Sequence, residues 1–139
     1  MRLPRYLLFA FLLPVLICIS CNKDKDSEPA NQTPSQTLMS STWKKSEYRE
    51  NGVVKPFFAS CEMDDVITFK SDGNWVLNGG ADVCSNPGIT TDFYNIESDN
   101  KTMHWGSWGV GELIFNSNKT SFTFKRTGAN TFEYIFVKN

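Results

Sequence analysis

Between residues 42 and 138 the chain is a series of short runs in which apolar and polar residues alternate, each closed by turn residues, and no stretch keeps a helical period. A period of two sends successive side chains to opposite faces, so each run specifies a half-buried strand. Run 65–70 sets Ile67 and Phe69 against Val66 and Thr68. "KSDGNW" follows, with Gly73 free to take the positive φ of a tight turn. Run 74–79 then alternates Trp75 and Leu77 with Val76. The others are 43–50, 91–97, 102–106, 112–116, 121–127 and 131–138. Phe122 and Phe124 share a face, as do Phe132, Tyr134 and Phe136. The expected fold is all-β: a compact eight-stranded antiparallel up-and-down barrel, whose closure removes exposed edges. One connection breaks the rhythm. "NGVVKPFFASCEMDD", between the first two strands, is too long for a tight turn. A short helical flap after Pro56 is expected there, with Phe57 and Phe58 covering one end of the barrel.

Ahead of the strands the composition changes sharply. Arg2 and Arg5 precede a run, 6–19, that is apolar apart from Pro14. As a helix it would reach about 21 Å, against roughly 30 Å for a bilayer core, so it reads as a secretory signal peptide and not as a span. Small Ser20 then precedes Cys21, and charged and polar residues begin directly after it. "ISC" resembles the lipobox of bacterial lipoproteins, whose cysteine takes a diacylglycerol on its sulfur and becomes the mature N-terminus. The resemblance implies lipidation at Cys21, with acyl chains such as palmitate holding the protein to a membrane. Cys18, behind bulky Ile17, fits less well. Residues 22–37 hold one alanine as their only apolar residue besides prolines, and cannot bury enough surface to offset their ordering entropy. The expected organisation is a signal peptide over 1–20, a flexible tether over 21–37 and a barrel domain over 38–139. The implied location is a Gram-negative cell envelope, as an outer-membrane lipoprotein facing the periplasm or the surface. Asp24, Asp26 and Glu28 resemble a surface-export signal, and equally suit a solvated linker.

Residues 1–20 contain two of the 14 basic residues and none of the 15 acidic ones. The remainder is therefore about three charges negative, which argues against nucleic acid as a partner. Cys61 and Cys84 remain for the domain. In an oxidising compartment the pair reads as a disulfide, a cross-link that stabilises by about 3 kcal/mol on the chain-entropy estimate. A metal site with Asp64 or Asp65 is the alternative, although no CxxC or HxxxH spacing supports it.

Little in the chain suggests catalysis. His104 is the single histidine, and alternation places it on the opposite face from Trp105. Asp64 and Asp65 could serve as paired carboxylates, but adjacent acids at a strand start more often cap a turn. "GSWGVG" lacks the lysine and the strand-to-helix setting of a phosphate loop. No catalytic residue, metal or cofactor is expected.

The run "ASCEMDDVITFKSDGNW", the tryptophan that opens the first strand, the second cysteine and the closing "FEYIFVKN" resemble the lipocalin-like domain of small bacterial lipoproteins. The residues carrying the resemblance are Cys61, Asp64, Asp65, Thr68, Phe69, Asp72 and Gly73. It implies a compact eight-stranded antiparallel barrel over most of 40–139 and leaves the biochemical role open. Two departures stand out: Ser41 replaces the glycine usual two places before the tryptophan, and Phe93 and Tyr94 replace a fourth-strand tryptophan. Trp105 and Trp108 have no counterpart.

A barrel of this size is either filled by its own side chains or holds one small ligand. Trp75, Trp105, Trp108, Phe124 and Tyr134 are the candidate ligand-binding residues. Two functions follow. One is a non-catalytic module that binds a small apolar or aromatic ligand. The other is a filled barrel that engages an envelope protein, as an inhibitor or an accessory subunit.

Overall fold

The computed structural model describes residues 32–56, 59–82 and 90–139. Cys21, the signal peptide, most of the tether, Phe57, Phe58 and Cys84 lie outside the described residues.

Among the described residues ten strands form one antiparallel sheet: β1 (Thr42–Glu50), β2 (Val53–Lys55), β3 (Val66–Phe69), β4 (Asn74–Asn78), β5 (Thr91–Phe93), β6 (Asn95–Ile96), β7 (Thr102–Trp105), β8 (Gly109–Phe115), β9 (Ser121–Thr127) and β10 (Thr131–Lys138). The order is β5-β4-β3-β1-β10-β9-β8-β7-β6, with β2 beside β1. The two ends of this path, β5 and β6, are separated only by Tyr94, so the sheet curls into a nearly closed barrel.

The expected count of eight is corrected to ten, for two local reasons. The expected fourth strand is split at Tyr94, whose backbone N–H donates to the Gly73 carbonyl at 2.7 Å. β2 is the second addition. It folds back on β1 through Asn51 (φ 50) and Gly52 (φ 78), the Asn-Gly pair that suits a two-residue hairpin. All three β2 residues are exposed, so no alternation marks them as a strand. Of the expected helical flap after Pro56, the described residues show a single 3-10 turn, Ser60–Glu62, and β2 precedes it.

Alternation puts the large side chains inside. Trp43, Ile67, Phe69, Trp75, Met103, Trp105, Leu113, Phe122, Phe124 and Phe136 are buried and form one cluster. Rings meet edge-on or tilted at centroid distances such as 4.9 Å for Trp43 with Phe122 and 5.4 Å for Phe69 with Trp105, arrangements that aromatic quadrupoles favour. The interior formed by the described residues is thus packed with its own side chains. In β1 a bulge between Lys45 and Glu47 changes the phase: Trp43 and Lys45 face inward before it, and buried Tyr48 faces inward after it.

One end of the barrel is sealed by a helix that straddles the expected boundary between tether and domain. α1 (Pro34–Met39) starts with a capping box in which Thr33 and Gln36 exchange side chain-to-backbone bonds, and proline occupies its first turn. Leu38 is fully buried, and its carbonyl accepts the indole N–H of Trp43 at 2.8 Å. Lys119 Nζ donates to the Gln32 carbonyl at 3.0 Å, fixing the entry to the helix. Among the described residues no helix is long and apolar enough to cross a membrane.

Candidate functional site

At the end opposite α1 the inward-facing stripes change from apolar to charged. On β1, Trp43 is followed by Lys45. On β9, Phe122 and Phe124 are followed by Arg126. Ahead of β3, buried Asp65 precedes Ile67 and Phe69. The apolar core thereby acquires a polar mouth.

Two carboxylates fix the loops around it. The turn Gly106–Trp108 joins β7 to β8, and its Ser107 N–H donates to Asp92 Oδ2 at 2.9 Å. Gly106 has φ 45, and a Cβ there would lie 2.2 Å from the same oxygen, so only glycine fits under this clamp. The bonds from Ser107 and Phe93 hold the Asp92 carboxyl below its ordinary range. On the other side, Asp64 Oδ2 accepts the N–H groups of Ala81 and Asp82 at 2.8 and 2.9 Å, which ties the Ser60–Glu62 turn to the loop after β4. Asp64 is therefore a turn cap, and its carboxyl is lowered chiefly by the Asp82 bond.

The clamped turn delivers Trp108 to the mouth. Its ring stacks on Trp105 at 4.7 Å and 18°, and meets Tyr134 at 5.0 Å. Tyr134 in turn stacks on Tyr48 at 5.1 Å. The Lys45 ammonium, with a side chain only 10% exposed, pairs with Glu62 Oε2 and lies 5.6 Å from the Trp108 ring. Lys45, Glu62, Ser107, Trp108, Arg126 and Tyr134 line a pocket of about 380 Å³. Arg126 is exposed and, among the described residues, has no carboxylate partner.

Burial raises both phenols. For Tyr134 the Tyr48 and Glu62 charges add to it and the Arg126 charge opposes it. For Tyr48, Glu50 adds to it. The Asp65 carboxyl is pushed up first by burial; Lys45 opposes this, while Glu62 and Asp64 add to it. A folded-state value above the unfolded one means that protonated Asp65 favours folding. That contribution is complete below the ordinary carboxylate range and is lost as pH rises through the folded value. Asp65→Asn, which stays neutral, is accordingly expected to be more stable than the parent at pH 7, with the gap closing below about pH 4. Urea titrations at the two pH values check this, and a variant less stable at pH 7 would show that Lys45 outweighs burial.

The structure divides the five candidate ligand residues. Trp75, Trp105 and Phe124 are at most 1% exposed and belong to the core. Trp108 and Tyr134 are half-buried and line the pocket. Trp105 is therefore not part of an exposed rim. His104 faces out, with Nε2 2.6 Å from Glu97 Oε1. Cys61 lies on the Ser60–Glu62 turn. Among the described residues no group of three or more His, Cys, Asp or Glu side chains could hold a metal ion. Sequence reasoning missed Lys45, Glu62 and Arg126. A signal for two of them was present: each puts a cation at the next inward position after a core aromatic, which marks where the packed interior meets the mouth.

No protein-family model matches the chain, and no curated protein matches it.

Proposed function

We propose that the chain is a lipid-anchored cell-envelope lipoprotein whose lipocalin-like barrel is a non-catalytic binding module. Cys21 carries the anchor, and a Cys61–Cys84 disulfide pins the segment after β2. The ligand is small, with an apolar or aromatic body, and is held at the mouth and not in the interior. The supporting observation is the contrast between the two: the interior is packed with rings, whereas the mouth holds an open pocket walled by Trp108 and Tyr134. The volume falls within the range of small-molecule sites. Screening a small-molecule library by tryptophan fluorescence tests the reading. Hits that lose binding in Trp108→Leu support it, and hits that bind unchanged in that variant contradict it. Peptide mapping without reductant tests the disulfide, since free thiols at both positions would remove it.

A second reading, engagement of an envelope protein, has one observation in its favour. Val53, Val54 and Met63 are 55–58% exposed, and the last two line a depression with Pro56 and Ala59. An affinity pull-down from detergent-solubilised membranes, with Val54→Asp as control, separates the two readings.

A further inference from the structure

Resting on that mouth-binding reading, the geometry points to a narrower ligand class: we infer that the pocket takes a small planar organic anion, with its carboxylate on Arg126 and its flat body against Trp108 and Tyr134.

The charge balance sets the sign. Of the charged groups that line the pocket, Lys45 and Glu62 neutralise one another as an ion pair. Arg126 is left as a surplus positive charge without a carboxylate partner among the described residues. A guanidinium presents a planar fork of donors that matches a carboxylate in two parallel bonds. Its charge already favours the ionised form of Tyr134, so its field reaches the aromatic wall. A cation would be repelled from Arg126, and a neutral ligand would leave its charge unused.

The aromatic wall sets the shape. Trp108 is held by the stack on Trp105 and by the Asp92 clamp on its turn, and Tyr134 by the stack on Tyr48. Both rings are thus positioned before a ligand arrives, which reduces the ordering cost of binding.

Packing sets the length. Directly behind Trp108 lie Trp105 and Phe136, both fully buried, with Phe136 stacked on Phe122 at 4.8 Å. A long acyl chain has no path past these rings. The ligand must fit within about 380 Å³, which suits one or two fused rings with an acidic group.

Calorimetric titration of the full chain with 1-naphthoate and its neutral analogue 1-naphthamide provides the test. The ¹⁵N indole signal of Trp108 reports where each probe sits. Naphthoate is expected to shift that signal and to bind more tightly than naphthamide. Arg126→Gln is expected to weaken naphthoate by about tenfold or more while leaving naphthamide unchanged. Arg126 is exposed, so the variant should keep the parent's Tm, and Arg126→Lys should fall between the two. If both probes move Trp108 equally and Arg126→Gln alters neither, the anion assignment is wrong and mouth binding stands. If neither probe moves Trp108, mouth binding fails as well.

Discussion

Replacing Trp105 by alanine is expected to cost about 3–5 kcal/mol, the range for removing a large buried ring. The ring has no solvent exposure and touches six others: Phe69, Trp75, Trp108, Phe122, Phe124 and Phe136, at centroid distances from 4.7 to 6.1 Å. These come from strands all round the barrel, so no single neighbour can collapse into the space. A domain of this size holds about 5–15 kcal/mol in total, and each kilocalorie lowers Tm by roughly 4–8 °C. The loss should therefore exceed 10 °C in a thermal scan. Trp105→Phe should lose far less. It keeps a ring in place and removes an indole N–H that has no acceptor among the described residues. An alanine variant within 1 kcal/mol of the parent would mean that the rings are loosely packed.

The second large effect is expected at the opposite end. Leu38→Ala should cost about 2–5 kcal/mol, although residue 38 opens the domain expected from sequence and lies just before its first strand. Leu38 has no exposure, its carbonyl holds the Trp43 indole, and its helix packs against β3. Val53→Ala, 58% exposed, serves as the control and should change stability by less than about 0.5 kcal/mol. Denaturant titration of the two variants measures the difference. Equal stability would show that α1 is an ornament on a barrel that is complete without it.

Much of the barrel was legible because alternation is a local signal with a global consequence. In Ile67 and Phe69, in Phe122 and Phe124, and in Phe136, the spacing alone gave the inward face. What it could not give was every departure from alternation. The bulge at Ser46 brings Tyr48 inward out of step with Trp43, and nothing in "WKKSEYRE" marks the extra residue. Tyr94 splits a strand because its N–H finds Gly73, a partner 21 positions away in the chain. β2 has no buried face, so it carries no pattern to read.

α1 is a different kind of omission. "TPSQ" states a capping box with proline at the first helical position, a local signal masked by the uniformly polar composition of 22–37 around it. The site was half legible. Trp108 and Tyr134 stand out as aromatics, and the buried Trp75, Trp105 and Phe124 stand out equally, since composition does not distinguish a ring that fills a core from one that lines a pocket. Lys45 and Arg126 supply that distinction, but only once the strands are aligned and both cations are found at the same end.

The chain's four tryptophans allow the central claim, a filled interior beneath a polar mouth, to be tested in one experiment. Hydrogen exchange of the four indole N–H groups, followed by NMR, reports water access ring by ring. The account predicts that Trp43, Trp75 and Trp105 exchange only when the whole domain unfolds, and that Trp108 exchanges much faster. Exchange at Trp75 and Trp105 as rapid as at Trp108 would mean that water enters the barrel, and would contradict it.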